Sequence, residues 1–362
     1  MTDAASSSRR SFLRTAATTA AAAVSAPMIL RASDKSGRQL PRLGTGAYQY
    51  EAIHGWGELP DHLQWTDTHG VAVDSEGLIY IKHRGDRTKA PMDTVAVFDA
   101  DGKFVRSFGK EYHSGGHGID IRREGSDEYL YLSTTWIMNG DDRLPGNVVK
   151  TNLRGEVVWR LDRPDELEPY KDPVAPFHPT NVCFGPDNGL YIGDGYGSNV
   201  LLQYDKNGKH VRTFGGLGDG PGQVKTPHGQ WLDDRPGRDP MIIVADRANA
   251  RLQYFTLEGE HGGFIPGMSF PADVDIQGDI MLVPDLHARV TLLDKDNALI
   301  THLGYDEEWT KKVLDGFKMR GQPDTWEAGR FIHPHDACFD RDSNIFVVEW
   351  VASGRVTKLR KA

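Results

Sequence analysis

Six segments of this 362-residue chain can be laid over one another: "THGVAVDSEGLIYI", "GHGIDIRREGSDEYLYLS", "PTNVCFGPDNGLYIGD", "PHGQWLDDRPGRDPMIIVAD", "PADVDIQGDIMLVPD" and "PHDACFDRDSNIFVVE". Each reads as a short strand, a turn with Asp or Gly, and a second strand dense in β-branched and apolar residues. A third strand usually follows ("NVLLQYD", "ARLQYFT", "RVTLLDK", "RVTKLRK"), then a fourth opened by Gly-Lys or Gly-Glu ("GKFVRSFG", "GEVVWRL", "GKHVRTFG"). Four-strand units that recur every 44 to 63 residues predict an all-β chain folded as a six-bladed β-propeller. One ring consumes residues 34–362, so a single domain is expected there.

A ring must close. The sixth unit reaches Ala362 after three strands, while "YQYEAIHGWG" at 48–57 has the register of a fourth strand and precedes the first unit. The N-terminal segment is therefore expected to complete the last blade, which removes an exposed sheet edge.

The first 33 residues stand apart. "SSSRRSFLRTAATTAAAAVSAPMIL" carries paired Arg9 and Arg10, then Arg14, then a weakly apolar Ala-rich stretch, the layout of a twin-arginine signal peptide. The chain is thus expected to be exported to the periplasm, already folded. No later apolar run is long enough to span a membrane, so no membrane partner is expected once the signal is removed. With a formal net charge of −9 the chain lacks the basic face that a nucleic-acid backbone requires. The expected partner is a small-molecule substrate, and the expected state a monomer.

The second residue of the aligned segments is His69, His117, Thr180, His228, Ala272 and His335. Innermost strands line a propeller's channel, so these positions share one circle. His117, His228 and His335 fall on blades two, four and six, a third of a turn apart. Three converging imidazoles with open positions left over match the ligand count of a catalytic zinc site rather than a closed structural one. Iron, copper and manganese tolerate the same ligands. The alternative is a set of channel histidines bonded to water and backbone. His69 on the same circle is open to three roles: fourth ligand, partner of a ligand, or substrate contact. His178 and His333, two residues before the circle, read as rim residues.

Several stretches carry a family resemblance: "HRGD" at 83–86, "GHGI" at 116–119, "GDGYGSN" at 193–199, "TPHG" at 226–229, "ADRANARLQ" at 245–253 and "HPHD" at 333–336. In this order they resemble the NHL-repeat propellers, and within them the lyase domain of peptidylglycine α-amidating enzymes. The resemblance implies zinc on His117, His228 and His335. It also implies a structural calcium held by the backbone carbonyls of Val71 and Ile119 and by Asp336. The catalytic tyrosine and arginine would be Tyr196 and Arg84, with Arg247 a second active-site arginine. A structural alternative for both arginines is an ion pair with the adjacent Asp86 or Asp246. The implied reaction splits an N-acyl α-hydroxyglycine into an amide and glyoxylate. In such a reaction a metal lowers the hydroxyl pKa, Tyr196 serves as base, and an arginine grips the carboxylate.

The chain departs from that family in its cysteines. The family pairs the residue after the tyrosine in a disulfide, whereas here it is Gly197, and the partner position is His178. Cys183 and Cys338 occupy equivalent strands on opposite sides of the ring and are expected to be free thiols. An insertion before His335 has apolar residues at Trp309, Val313, Leu314 and Phe317, a helical spacing over 306–319, and reads either as a lid or as a rim helix. Three functional classes follow: a metal-dependent lyase of a small α-hydroxy amide, a hydrolase or isomerase using the same metal, and a non-catalytic propeller that binds a protein partner.

Overall fold

The computed structural model describes residues 39–140 and 142–362, and the twin-arginine stretch lies outside them. Six antiparallel sheets stand around a channel, five of four strands and one of five. Blade one, for example, runs Thr68–Val73, Ile79–His83, Val95–Phe98 and Phe104–Phe108 from the channel outward. The seam is closed as expected. Strand Tyr48–His54 pairs with the C-terminal strand Arg355–Lys361, with Ala52 opposite Leu359. Strand Arg42–Thr45 then adds a fifth strand outside it.

Second strands are buried on both faces because each is wedged between two neighbouring blades, which explains their continuous apolar runs. In blade one, Ile79 and Ile81 face Phe346 and Val348 of blade six, while Tyr80 faces Leu130, Leu132 and Val149 of blade two. Alternate residues of one strand thus serve two different cores. The same arrangement recurs at every blade junction, so the described residues hold six apolar wedges rather than one central core.

Turns are set by side chains that mimic backbone. Asp74, Asp99, Asn152, Asp205, Asp294 and Asp340 each accept amide hydrogens from residues two and four positions on. The ends of second strands are tied by buried ion pairs: Asp246 with Arg251, Asp285 with Arg289 and Glu349 with Arg355.

The insertion forms a short helix, Glu307–Leu314, capped by the Asp306 carboxylate, which accepts the Trp309 amide hydrogen at 2.8 Å. It ends earlier than the apolar spacing suggested. Gly316 and Phe317 both adopt positive φ, 63° and 55°, which no α-helix continues through.

Tyr50 is buried on the N-terminal strand within the wedge between blades five and six. Tyr50→Ala should cost about 3–5 kcal/mol in urea unfolding. A loss below about 1 kcal/mol would mean that this strand decorates the ring without sealing it.

Candidate active site

The four channel histidines are buried and meet at one level. His117, His228 and His335 have ring centroids 4.7–4.8 Å apart, pair by pair. Their attachment repeats around the ring. His117 Nδ1 donates to Thr180 O at 2.7 Å, His228 Nδ1 to Ala272 O at 2.6 Å, and His335 Nδ1 to His69 O at 2.8 Å. Each acceptor is the equivalent residue of the next blade. Carbonyls only accept, so Nδ1 carries the hydrogen and every Nε2 presents a lone pair to the channel. Burial holds all four imidazoles well below their ordinary pKa, so they are neutral near pH 7.

His117 Nε2 and His228 Nε2 lie 3.1 Å apart. With both hydrogens on Nδ1, neither can donate to the other, and two lone pairs face each other in a buried space. A proton or a cation between them would satisfy that contact. The chemistry of these donors therefore fits a divalent metal.

His69 is built differently. Its Nδ1 bonds to Asp67 O of its own segment at 2.9 Å, and its Nε2 accepts from Arg84 Nη2 at 2.8 Å. By distance alone His69, His117 and His335 also group, with ligand nitrogens within 4.8 Å of one another. The hydrogen bonds discriminate between the two sets, which differ in His69 and His228: the Arg84 guanidinium occupies the lone pair of His69, whereas that of His228 faces His117 Nε2 and the Tyr196 hydroxyl.

Tyr196 stands at the mouth, 37% exposed, with Oη 3.1 Å from His228 Nε2. Arg247 Nη1 donates to the same oxygen at 2.9 Å, and its Nε donates to Pro271 O. Arg247 is only 3% exposed, and its Nη2 has no hydrogen-bond partner. The adjacent Asp246 does not pair with it, being engaged by Arg251 at 2.6 Å. Arg84 likewise ignores Asp86. Its Nη1 lies 3.6 Å from Asp67, its guanidinium stacks 5.0 Å over Trp136, and its buried Nε has no partner. Neither arginine pairs with its adjacent aspartate: Asp246 pairs with Arg251, and the carboxylate nearest Arg84 is that of Asp67. Burial lowers the pKa of both guanidinium groups.

One residue further along the inner strands is a second ring. Asp336 Oδ2 accepts the Val71 amide hydrogen at 2.8 Å, and Asp273 accepts from Asn181 Nδ2 at 2.9 Å. The two carboxyls contact each other: burial pushes Asp273 up to about 6 against the hydrogen bond from Asp336, which favours its charged form, while burial and the Asp273 charge hold Asp336 well above its usual range. A cavity of about 260 Å³ is lined by both, and by Val71, Ile119, Asp120 and Asp275. Gly229 leaves room for this ring, since a Cβ there would lie 1.9 Å from Asp273 Oδ1. The structure brings Val71, Ile119 and Asp336 to one cavity, together with Asp273, Asn181, Asp120 and Asp275. Asp273 follows Ala272 as Asp336 follows His335, and that alignment could have found it.

No protein-family model matches the chain. It is 31% identical over 210 residues to NHL repeat-containing protein 3 of Homo sapiens, covering 57% of this chain and 56% of that protein. Peptidyl-glycine alpha-amidating monooxygenase of Mus musculus is 26% identical over 257 residues, 62% of this chain and 25% of that one. A probable peptidyl-alpha-hydroxyglycine alpha-amidating lyase of Caenorhabditis elegans is 22% identical over 311 residues, 80% and 81% of the two chains. The chain resembles the NHL-repeat propellers and, among them, the amidating lyases. It spans about half the length of the human relative and a quarter of the mouse one. Solved structures agree on the fold. A streptogramin B lyase superposes with a TM-score of 0.54 at 12% identity, over 88% of this chain and 100% of that one. A gluconolactonase from Xanthomonas campestris gives 0.56 at 10%, over 88% and 95%.

Gly197, the residue after Tyr196, leaves no room for a side chain. A Cβ at Gly197 would lie 2.1 Å from Asp194 Oδ1, which also accepts the His178 amide hydrogen. Cys183 and Cys338 are free. His178 sits on the rim, with Nδ1 on Thr135 O at 2.8 Å. His333 is instead fully buried, against Phe317 and Trp350.

The Asp273–Asp336 contact has a pH signature. Folded carboxyls with raised pKa hold protons that the unfolded chain, near 3.8, has released. Their stabilising contribution is therefore full below about pH 4 and lost as pH rises through 6. In chelator-containing buffer Asp273→Asn should gain stability relative to the parent between about pH 4 and 7, on the order of 2–3 kcal/mol. A difference that stays constant with pH would show that burial does not raise the Asp273 pKa.

Proposed function

We propose that this protein is a metal-dependent carbon–nitrogen lyase, acting on a small N-acyl α-hydroxyglycine or a related carbinolamine with a carboxylate. The observation that carries the reading is Arg247, a buried guanidinium with no carboxylate partner, placed on Tyr196 beside a circle of imidazole lone pairs that face the channel. A buried cation without a counter-ion is costly, so the site is complete only with an anion bound. The amidating-lyase relatives supply the reaction class.

In this reading His117, His228 and His335 hold zinc or another divalent transition ion, and His69 serves to orient Arg84. The ion supplies Lewis acidity to the substrate hydroxyl. Tyr196 is the proposed base that takes the hydroxyl proton, with Arg247 Nη1 donating to its oxygen. The O–H electron pair forms the aldehyde carbonyl of glyoxylate, and the C–N pair passes to the amide nitrogen, which takes the proton on from Tyr196. Arg84 and Arg247 grip the carboxylate through their unpartnered Nε and Nη2. Calcium is proposed one level deeper, on the Val71 and Ile119 carbonyls and Asp336, where a cation would replace the proton shared with Asp273. The arginine-rich leader, outside the described residues, is proposed to direct export of a monomer to the periplasm.

Elemental analysis of protein purified without added salts should find a transition metal, and an α-hydroxyhippurate assay should release glyoxylate. Tyr196→Phe should keep metal and fold but lose about 10²–10⁴-fold in turnover. His228→Ala should lose metal and activity together. A Phe variant that turns over at the parent rate with its metal intact would overturn the lyase assignment of Tyr196. The hydrolase or isomerase reading would then stand in its place.

A further inference from the structure

Residues of the insertion pack as a separate apolar cluster: Trp309, Val313 and Met319 against Ala288, Ile332 and Val351. This anchors a 3₁₀ turn, Lys318–Gly321, from which Arg320 reaches across blade six. Arg320 Nε donates to Trp350 O at 3.1 Å, its guanidinium lies 3.9 Å over the Trp350 ring, and Ala352 donates its amide hydrogen to Arg320 O at 3.0 Å. Its Nη2 meets Asp67 Oδ1 at 2.5 Å.

Asp67 is the hub of this contact. Its carboxylate stands between two guanidinium groups, and its carbonyl oxygen accepts from His69 Nδ1 and from the Arg84 amide. The two arms are unequal. Arg320 has a short, direct contact, whereas Arg84 is 3.6 Å away, beyond hydrogen-bond distance. A carboxylate so close to a free guanidinium ordinarily forms a bidentate pair with it. Such a pair would turn Arg84 away from His69 and neutralise the charge offered to the channel.

We propose that the insertion is a positioning element: Arg320 occupies Asp67 so that Arg84 remains free to hold the substrate carboxylate. The inference rests on the carboxylate-gripping role given to Arg84 above. It makes the insertion neither a lid nor a passive rim helix, because its effect passes through one carboxylate.

The test is binding of hippurate, a carboxylate that lacks the reacting hydroxyl, to the full-length metal-loaded protein by calorimetry. Arg320→Gln should weaken binding about tenfold, the scale of one charge-assisted hydrogen bond. Adding Asp67→Asn to that variant should restore the affinity, because the competing carboxylate is gone. A purely structural role for Arg320 predicts no such rescue. Asp67→Asn alone should bind at least as tightly as the parent, which keeps the test open should Arg320→Gln fail to fold. Unchanged binding by Arg320→Gln, an unrescued double variant, or weaker binding by Asp67→Asn would each overturn the inference while leaving the lyase reading intact. A parent protein that binds no hippurate would instead strike the carboxylate reading itself, and this inference with it.

Discussion

Three hydrogen bonds link the propeller's closure to its chemistry. His117, His228 and His335 each donate Nδ1–H to the equivalent residue of the following blade, at 2.6–2.8 Å. Every bond joins two neighbouring inner strands, so the circle of histidines exists only if the blades are in register. The same bond fixes the tautomer and turns Nε2 inward. Neither the ring nor the ligand geometry can shift without the other. His69, which bonds within its own segment, lies outside this pattern and is free to serve Arg84 instead.

Charges in the molecule divide into two kinds. At the ends of second strands Asp246, Asp285 and Glu349 are matched by Arg251, Arg289 and Arg355, and these pairs hold the blades. At the mouth, Arg247 has no such match and Arg84 a distant one. The contrast is sharpest at the dipeptide Asp246–Arg247, where neighbouring residues belong to different systems. Unmatched buried charge persists only where the surrounding scaffold supplies the stability, and it marks the place where a ligand is expected to complete the set.

The fold was legible because its period was written into the strands, and the seam because the sixth unit lacked a strand that the N-terminus offered. The histidine circle was legible for the same reason: equivalent positions in a repeat become equivalent positions in space. What escaped was whatever broke the repeat. Asp273 sits behind an alanine in the aligned column, so the acidic ring looked like a lone Asp336. Leu314 and Phe317 kept a helical spacing that Gly316 and the positive φ of Phe317 cut short. The Arg320–Asp67 contact joins the insertion to the approach to blade one, and no periodicity connects two irregular segments so far apart in sequence.

The two rings of the channel raise one physical question, that of like groups gathered from different blades. Above, neutral imidazoles present lone pairs to one another at 3.1 Å; below, two carboxyls touch. In an isolated strand pair such groups would turn to solvent. Here they cannot, since each is carried on an inner strand whose blade is locked by apolar wedges on both sides. The wedges lie between blades and reach the channel wall at Val71, Ile119 and Ala337, so the inner strands that carry these groups are anchored by the same apolar packing that holds the blades. That anchoring is what allows the channel to hold mutually unfavourable groups in fixed positions, a condition that the proposed cation and anion sites require.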